Sequence, residues 1–296
     1  MRLIIIKILS YIFIKIENFF LFAFNLDIIF FSKLINRKAF KVIKIGKRNI
    51  EFYIPNNTIL WRIKTFFSKE PETINFIDQF NKKKKIIFWD IGSNIGLYSI
   101  YAAVVHKNIQ VISFEPSINN LRVLGTNISK NKLTNKIKII TNPITNHSNH
   151  FSTMHETSIY EGSALSTFGQ ELNFEGKKIS SKLSYQLLGF SIDYLIEKKI
   201  LEIPNYIKID VDGLEHLILR GAKTILKSKK IEKISIELNE NFLSQYKEVL
   251  NVMKKNNFKL MYSGKINPIS FPKESIIEKR TKKFNKTYNF HFIKKN

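Results

Sequence analysis

The chain has 296 residues, of which 44% are hydrophobic and 24% charged, and it contains no cysteine. This length is enough for one large domain or two small ones, and the composition excludes collagen-like, low-complexity and wholly disordered chains. The lack of cysteine excludes a disulfide scaffold, an iron–sulfur cluster, a thiolate zinc site and a cysteine nucleophile.

The formal net charge of +24 first suggests a nucleic acid or an anionic membrane as a partner. Residues 1–41 contain seven basic and two acidic residues, and residues 265–296 contain nine and two, so half of the excess lies at the ends. The rest is spread thinly, and the chain is rich in Lys, Ile, Asn and Phe, as in proteins of AT-rich genomes. We interpret the charge mainly as an effect of composition and expect no nucleic-acid partner.

Residues 1–40 form an apolar segment that we predict to be helical. The charged residues that interrupt it are Lys7, Lys15, Glu17, Asp27 and Lys33. They are too frequent for a transmembrane helix, and no small-residue cleavage site supports a signal peptide. At helical spacing the polar residues gather on one face, so residues 1–35 either contact a membrane peripherally or cap the domain or a dimer. We favour the second and expect a cytoplasmic protein, with attachment to the inner face of the membrane as the alternative.

The remaining chain divides into an accessory region, residues 41–84, and a larger domain, residues 85–296. The first is predicted to contain a hairpin and two helices. In the second, short apolar runs alternate with helical patterns, which predicts an α/β fold with a mostly parallel sheet and an antiparallel last strand. Residues 143–190 are a polar insertion in which we expect short strands. The predicted strands are 41–45, 50–54, 86–91, 110–115, 137–141, 206–211, 233–238, 258–263 and 289–293; the predicted helices are 58–67, 72–80, 97–106, 118–129, 192–199, 215–226 and 246–256.

A turn with two glycines follows the first strand of this alternation, in the sequence D-I-G-S-N-I-G of residues 90–96. Gly92 and Gly96 permit tight backbone geometry and close approach of a ligand, and the next helix offers free N–H groups at its N-terminus. The spacing differs from the G-x-G-x-x-G of nicotinamide-binding proteins. Asp90, Ser93 and Asn94 join the glycines as candidate cofactor-binding residues.

Glu115 ends the next predicted strand, and Pro116 follows it. An acid about 20 positions after the first glycine of such a turn can accept hydrogen bonds from the ribose hydroxyls of an adenosine ligand. The alternative is an acid that caps the helix opened by Pro116. The turn and the acid together predict a nucleoside-type cofactor.

The ordered motifs within residues 86–240 resemble the FkbM-type family of S-adenosylmethionine-dependent methyltransferases. They are residues 90–96, Glu115-Pro116-Ser117 with Asn120 and Asn127, Gly162-Ser163-Ala164-Leu165, residues 207–215, Arg220-Gly221-Ala222 and Ile236-Glu237; residues 64–73 resemble a bacterial subgroup. The resemblance implies the Rossmann-like seven-stranded methyltransferase sheet, S-adenosylmethionine over the first turn, and O-methylation of a hydroxyl.

Two positions depart from the family pattern. Relatives often have an acid near the adenine amine, where this chain has Asn142 or Asn146, and an amide oxygen can still accept that hydrogen bond. We add Asn142 and Pro116 to the candidate cofactor-binding residues. The pair Asp210 and Asp212 replaces the more frequent Asp/Glu pair, which shortens one side chain by a methylene.

The candidate catalytic residues lie at the ends of two later strands and are Lys208, Asp210, Asp212, Glu215 and Glu237. A strand buried on both faces rarely carries three charges without a function. In one hypothesis Asp210 or Asp212 accepts the proton of a hydroxyl or orients the substrate, and Lys208 keeps the carboxylates ionised. In a second, a divalent metal ion binds to Asp210, Asp212, Glu215 or Glu237. In a third, the charges form a structural network in which Glu215 caps a helix.

The sequence thus predicts an S-adenosylmethionine-dependent O-methyltransferase. Family analogy makes the acceptor a hydroxyl of a sugar in a surface glycan or a related metabolite. The alternatives are a nucleic-acid methyltransferase, a non-enzymatic membrane-associated S-adenosylmethionine binder and a nicotinamide oxidoreductase. The oligomeric state is open. Five histidines show no metal-ligand spacing and are expected at the surface: His106, His147, His150, His155 and His291.

Overall fold

The computed structural model describes residues 40–173, 175, 177–263 and 287–295, together with eight residues between 8 and 19. Met1–Phe40 and Lys41–Asn296 form two compact units. The eight described residues between 8 and 19 are helical, and the rest of the predicted helical segment 1–40 lies outside the described residues, apart from Phe40, which begins a strand. None of the helices that the structure describes has the length and apolar character needed to cross a membrane.

The accessory region contains the predicted hairpin and helices. Its elements are β1 (Phe40–Ile45), β2 (Arg48–Tyr53), α1 (Asn57–Lys64), α2 (Phe66–Lys69) and α3 (Pro71–Asp78). The Asn56 side chain accepts a hydrogen bond from the Ile59 N–H (3.0 Å) and so caps α1. Pro71 opens α3, where the missing proline N–H leaves no hydrogen bond unmade.

The larger domain is built on a seven-stranded sheet. The strands that follow the hairpin are β3 (Ile86–Ile91), β4 (Ile109–Phe114), β5 (Ile137–Ile140), β6 (His150–Glu156), β7 (Thr167–Phe168), β8 (Leu183–Gly189), β9 (Tyr206–Ile209), β10 (Lys233–Asn239), β11 (Phe258–Ser263) and β12 (Thr287–Lys294). The central sheet has the order β11-β12-β10-β9-β3-β4-β5. Its strands pair in parallel except β12, which runs antiparallel to β10 and β11. The predicted Rossmann-like α/β fold is confirmed.

Helices cover both faces of the sheet. They are α4 (Leu97–Val105), α5 (Ile118–Lys130), α6 (Ile192–Glu197), α7 (Glu215–Arg220) and α8 (Leu243–Lys255), with a 3-10 turn at Ile225–Lys227. All six residues of β3 are buried, and successive side chains enter different cores: Phe88 packs in one and Trp89 in the other. The predicted helix 215–226 is wrong in its second half, because Gly221 ends α7. A Cβ on Gly221 would lie 2.3 Å from the Thr145 carbonyl oxygen.

The insertion forms a small sheet of its own. Strands β6, β7 and β8 pair antiparallel in the order β7-β6-β8, so the short strands expected within residues 143–190 are present. Backbone hydrogen bonds join the two ends of the insertion: the Thr145 N–H donates to the Phe190 carbonyl oxygen (2.9 Å), and the Phe190 N–H donates to the Pro143 carbonyl oxygen (3.0 Å).

Two of the five histidines expected at the surface are buried. His106 hydrogen-bonds through Nε2 to the Ile77 carbonyl oxygen (2.8 Å) and stacks on Phe80. His291 lies in β12, where burial and the nearby charge of Lys233 lower its pKa to about 3. The prediction was wrong for His106 and His291, because an isolated histidine in an apolar run gives no sign of its partner.

Asn127 of α5 and Asn131, the residue that follows α5, fasten the hairpin to the larger domain. Asn127 Oδ1 accepts the Tyr53 N–H (2.8 Å), and its Nδ2 donates to the Ile95 carbonyl oxygen (2.9 Å). One turn later Asn131 Oδ1 accepts the Glu51 N–H (2.9 Å), and Nδ2 donates to the Glu51 carbonyl oxygen (2.7 Å). Each amide therefore serves as a side-chain partner for the edge of β2.

We expect Asn127→Ala to lower the free energy of unfolding by about 2–4 kcal/mol, since two backbone groups lose their partner where water is excluded. The measurement is urea unfolding monitored by circular dichroism. Thr126→Ala is the matched control, because its hydroxyl bonds to the Arg122 carbonyl oxygen within the same exposed helix face; we expect a change below about 0.5 kcal/mol. Equal losses in both variants would contradict this role of Asn127.

Candidate active site

The turn between β3 and α4 is fixed by close backbone packing. Gly92 and Gly96 have φ angles of 83° and 85°, and Asn94 has 52°. A Cβ on Gly92 would lie 1.9 Å from the Asp210 carbonyl oxygen, and one on Gly96 would lie 2.5 Å from Leu124 Cδ1. The glycines are therefore required for the approach of β3 to β9 and of α4 to α5. Close approach of a ligand, which we gave as the reason from the sequence, is not needed to explain them.

Glu115 holds this turn from the end of β4. Its Oε2 accepts the Asn94 N–H (2.7 Å), and its Oε1 accepts the Ser117 N–H (2.9 Å) at the start of α5. Burial raises the pKa of Glu115 to about 7, although the N–H donors favour the charged form. The Glu115 carboxylate thus binds the N–H group at the start of α5 and also lines the cleft beside the turn. Its position is compatible with both interpretations from the sequence, a helix-capping acid and a cofactor-binding acid.

A cleft, which we call cavity 1, opens at the carboxyl ends of β3, β4 and β9, with about 630 Å³ of empty space including its mouth. Gly92, Asn94, Glu115, Pro116 and Asn142 line it, with Phe114, Asn120, Pro143, Ile144, Met154, Ser163, Phe168, Asp210 and Asp212 among the others. Of the other predicted cofactor-binding residues, Asp90 and Gly96 do not line it, and Ser93 lines a neighbouring cavity.

Asn142 is oriented by the insertion. Its Nδ2 donates to the Leu188 carbonyl oxygen (3.0 Å), which leaves Oδ1 as the acceptor that the side chain offers. Asn146, the other residue considered for this place, bonds instead to Thr145 and His147 and does not line the cleft. Of the two residues considered, Asn142 is the one at the cleft.

A loop of the insertion closes one side of cavity 1. The side-chain amides of Asn94 and Asn120 both donate to the Ser163 carbonyl oxygen, at 2.8 and 3.3 Å. The Leu165 N–H donates to Asp212 Oδ2 (2.7 Å). The Gly-Ser-Ala-Leu motif thus forms one wall of cavity 1. Asp212 holds this wall in place with one of its two carboxylate oxygens.

Lys208 is a buried charge of the site, with 1% of its surface exposed. Its Nζ lies 2.7 Å from Asp210 Oδ2, 4.0 Å from Asp90 Oδ1 and 5.0 Å from the centre of the Tyr98 ring. Burial would lower the pKa of Lys208, but Asp210 and Asp90 outweigh it and raise the pKa. Asp90 is wholly buried and accepts a hydrogen bond from the Ser99 hydroxyl (2.6 Å). Asp90 therefore stabilises the charge of Lys208 from within the core and does not line the cleft.

Three carboxylates meet at the ends of β9 and β10. Oxygen atoms of Asp210, Asp212 and Glu237 all lie within 4.8 Å of one another. Burial, followed by repulsion from Asp210, raises the pKa of Asp212 to about 6 and that of Glu237 well above its ordinary value. Both shifts favour the protonated carboxyl, and the three carboxylates could either share protons with an acceptor or hold a divalent cation.

Glu215 is placed elsewhere. It is buried, accepts the Val211 and Gly213 N–H groups (3.1 and 3.4 Å), and is also hydrogen-bonded by the Gln245 side chain (2.5 Å). It lines neither cavity. The predicted catalytic role of Glu215 gives way to the structural alternative, in which it holds the turn that follows β9.

The accessory region contributes residues that we did not single out from the sequence. Arg62, Lys69 and Glu70 line a second cavity, cavity 2, together with Tyr98 of α4. The remaining lining residues are Phe66, Gly92, Ser93, Asn94, Ile95, Leu97, Lys208 and Asp210. In the sequence, residues 64–73 resembled a bacterial subgroup of the family. That resemblance did not indicate that these residues face a cavity.

A sheet of this strand order, with a cleft and an acid at the carboxyl ends of β3 and β4, defines a Rossmann-like ligand-binding α/β protein. Within that class, the chain belongs to the FkbM methyltransferase family, whose domain model matches residues 90–260. The resemblance given by the motifs is confirmed.

Among curated proteins, the chain is similar to the hexuronic acid methyltransferase AglP of Haloferax volcanii, with 25% identity over 169 residues. The match covers 57% of this chain and 62% of that relative's length. The solved structures that are similar to this chain include the methyltransferase FkbM of Methylobacillus flagellatus KT. The identity is 15%, the match covers 70% of this chain and 43% of that chain, and the TM-score is 0.43. Another is M. jannaschii TYW2 in complex with AdoMet (13% identity, 87% of each chain, TM-score 0.43). TM-scores this low do not establish a shared activity.

Gly92→Ala is expected to lower the free energy of unfolding by more than about 3 kcal/mol, because the new Cβ meets backbone that cannot move aside. Gly46→Ala is the control: Gly46 also has a positive φ, 58°, but nothing lies within 4 Å of the added carbon. Its cost should be about 1 kcal/mol. Urea unfolding compares the two, and similar losses would contradict the close approach of β3 and β9.

Glu215→Gln is expected to flatten the pH dependence of stability. Burial raises the pKa of Glu215 to about 8, whereas the unfolded chain releases this proton near pH 4.5. Its contribution is therefore complete below pH 4.5 and is lost as the pH rises toward 8. Between pH 5 and 8 the wild type should lose on the order of 2–4 kcal/mol more than the variant.

Urea unfolding at both pH values measures this difference. The control is Glu171→Gln, an exposed acid of the insertion paired with Lys178. The control should keep the wild-type slope, and a wild-type slope in Glu215→Gln would disprove the buried proton.

Proposed function

We propose that this protein transfers a methyl group from S-adenosylmethionine to a hydroxyl of a sugar. The observation that carries the proposal is the place of Asp210: it lines both cavities, and a buried lysine holds it at the carboxyl end of β9. Ligands of open α/β sheets bind at this edge.

The residues of cavity 1 fit the nucleoside part of the cofactor. Glu115 offers a carboxylate for ribose hydroxyls, and Asn142 offers an amide oxygen for an exocyclic amine. Phe114, Ile144 and Phe168 supply apolar walls for a base. When bound, S-adenosylmethionine supplies an activated methyl carbon, and the protein supplies binding and orientation.

The three carboxylates then have separate roles. Asp210 is the proposed proton acceptor, because it lines both cavities and Lys208, at 2.7 Å, occupies only its Oδ2. Asp212 positions the loop of Ser163 through the Leu165 N–H. Burial and repulsion from Asp210 raise the pKa of Glu237 well above its ordinary value, which favours a protonated carboxyl that can donate a hydrogen bond to an acceptor oxygen. Their different environments assign the roles, as in other sites with paired acids.

The similarity to AglP, a hexuronic acid methyltransferase by its description, supports a sugar acid or a glycan that contains one as the acceptor. The chain spans only part of that relative, so the acceptor class is part of the proposal. A surface glycan or a related metabolite remains the predicted source of the hydroxyl.

A divalent ion on Asp210, Asp212 and Glu237 is the second mechanism that the geometry allows, since their oxygens lie within 4.8 Å. A nucleic-acid acceptor is disfavoured. The strand that would carry an N-P-P-Y-type motif for base amino groups is followed instead by Asp210-Val211-Asp212-Gly213. The other alternative is a membrane-associated protein that binds S-adenosylmethionine without catalysis. It differs from our proposal in one respect: it would transfer no methyl group.

Asp210→Asn is expected to reduce methyl transfer by about 10²–10⁴-fold, because the amide cannot accept the proton. Binding of S-adenosylhomocysteine, measured by calorimetry, should change less than about threefold. Transfer is measured by mass spectrometry of envelope glycans from cells that lack the gene and are complemented with each variant. The product carries one added CH2. Equal losses of binding and transfer would move Asp210 from chemistry to cofactor binding.

The exposed variant Glu171→Gln is the control and should transfer at the wild-type rate. The same transfer repeated with purified protein and glycans from the deletion strain, after EDTA treatment, separates the two mechanisms. Unchanged turnover supports proton transfer to Asp210, whereas loss that Mg²⁺ or Mn²⁺ restores supports the metal ion. Cofactor binding without transfer in the wild type would favour the non-enzymatic binder.

A further inference from the structure

Cavity 2 adjoins cavity 1 through shared residues. Gly92, Asn94 and Asp210 line both, so a single ligand can extend from one cavity into the other past the turn of β3. Cavity 2 contains about 480 Å³ of empty space including its mouth, enough for several heavy atoms of such a ligand. Its far wall comes from α1 and α2 of the accessory region.

The two cavities differ in charge. No Lys, Arg or His is among the residues that line cavity 1, whereas Arg62, Lys69 and Lys208 line cavity 2. Two of these cations are already paired: Lys208 with Asp210 and Lys69 with Glu70, each at 2.7 Å. An anionic group would therefore bind in cavity 2 and not in cavity 1.

Arg62 is the cation that remains. It is partly buried, and its Nε donates to the Gly162 carbonyl oxygen (2.5 Å), which fixes the side chain against the insertion. No ion pair joins Arg62 to a carboxylate within the described ranges. The guanidinium thus keeps further N–H donors in a planar arrangement that matches a carboxylate.

Glu70 places a negative charge at a fixed position in cavity 2. It is buried and accepts hydrogen bonds from Lys69 and from the Tyr98 hydroxyl (2.9 Å). Lys69 and Lys208 hold the pKa of Glu70 well below its usual range, although burial acts in the other direction. Glu70 therefore stays ionised on one side of cavity 2, while Arg62 and Lys69 are positive.

We infer that cavity 2 binds the zwitterionic amino-acid end of the cofactor, with its carboxylate on Arg62 and Lys69 and its ammonium facing Glu70. This inference rests on the proposed function, since it requires an adenosyl cofactor in cavity 1. The accessory region is then part of the cofactor site, and Arg62 is a binding residue that also anchors the insertion through Gly162.

The test compares two nucleosides on the full chain by isothermal titration calorimetry. S-Adenosylhomocysteine has the amino-acid end, and 5′-methylthioadenosine lacks it. For Arg62→Met we expect S-adenosylhomocysteine to bind about 10- to 100-fold more weakly, the effect of one charge-assisted pair, while the affinity for methylthioadenosine changes less than about twofold. Arg62→Lys should recover part of the loss.

Lys64→Met, on the exposed end of the same helix, is the matched control and should bind both nucleosides as the wild type does. Equal weakening of both nucleosides in Arg62→Met would overturn the inference, because Arg62 would then act through the insertion. Unchanged binding of both would also overturn it and leave cavity 2 to an acceptor. If the wild type binds neither nucleoside, the proposed function itself fails.

Discussion

The buried ammonium group of Lys208 is the interaction on which the site depends. Removing a charge from water is costly unless partners surround it, and Lys208 has Asp210, Asp90 and the Tyr98 ring around it. These partners come from β3, the end of β9 and α4, so one charge fixes the relative placement of three elements. It also fixes Asp210, whose Oδ2 has a donor and whose other oxygen is left for a ligand.

The same charge distributes protons among the neighbouring acids. Three carboxylates within 4.8 Å cannot all be ionised without strong repulsion. Asp210 has the lysine and Asp212 has the Leu165 N–H, whereas burial and repulsion from Asp210 raise the pKa of Glu237 well above its ordinary value. Similar side chains are thus placed in different electrostatic surroundings.

Much of the fold could be predicted from local sequence, because a buried parallel strand and an amphipathic helix leave different periodicities. The pattern of β3 and the position of the turn with Gly92 and Gly96 were sufficient to predict the type of sheet and the location of the cleft that we call cavity 1. The partners that act over long sequence distances were not predictable. Arg62 meets Gly162 and Asn127 meets Tyr53 only after folding, and nothing in the local pattern of α1 or α5 indicates these contacts. The two hypotheses for Glu215 stayed open in the sequence because a buried acid looks the same there whether it faces a cleft or a turn.

The long-range contacts also indicate where acceptor specificity resides. The sheet supplies Gly92, Glu115 and Asp210, which serve the proposed cofactor and the proton. The walls around them come from the accessory region and the insertion, which meet where Arg62 and Asn56 donate hydrogen bonds to Gly162 and Glu161. These two regions lie outside the strand–helix alternation, but buried residues of the accessory region such as Ile59 and Phe76 share a hydrophobic core with Phe88 of β3. In the proposed function, the acceptor is therefore distinguished by the parts of these walls that contribute neither to this core nor to the cofactor site of Arg62 and Lys69.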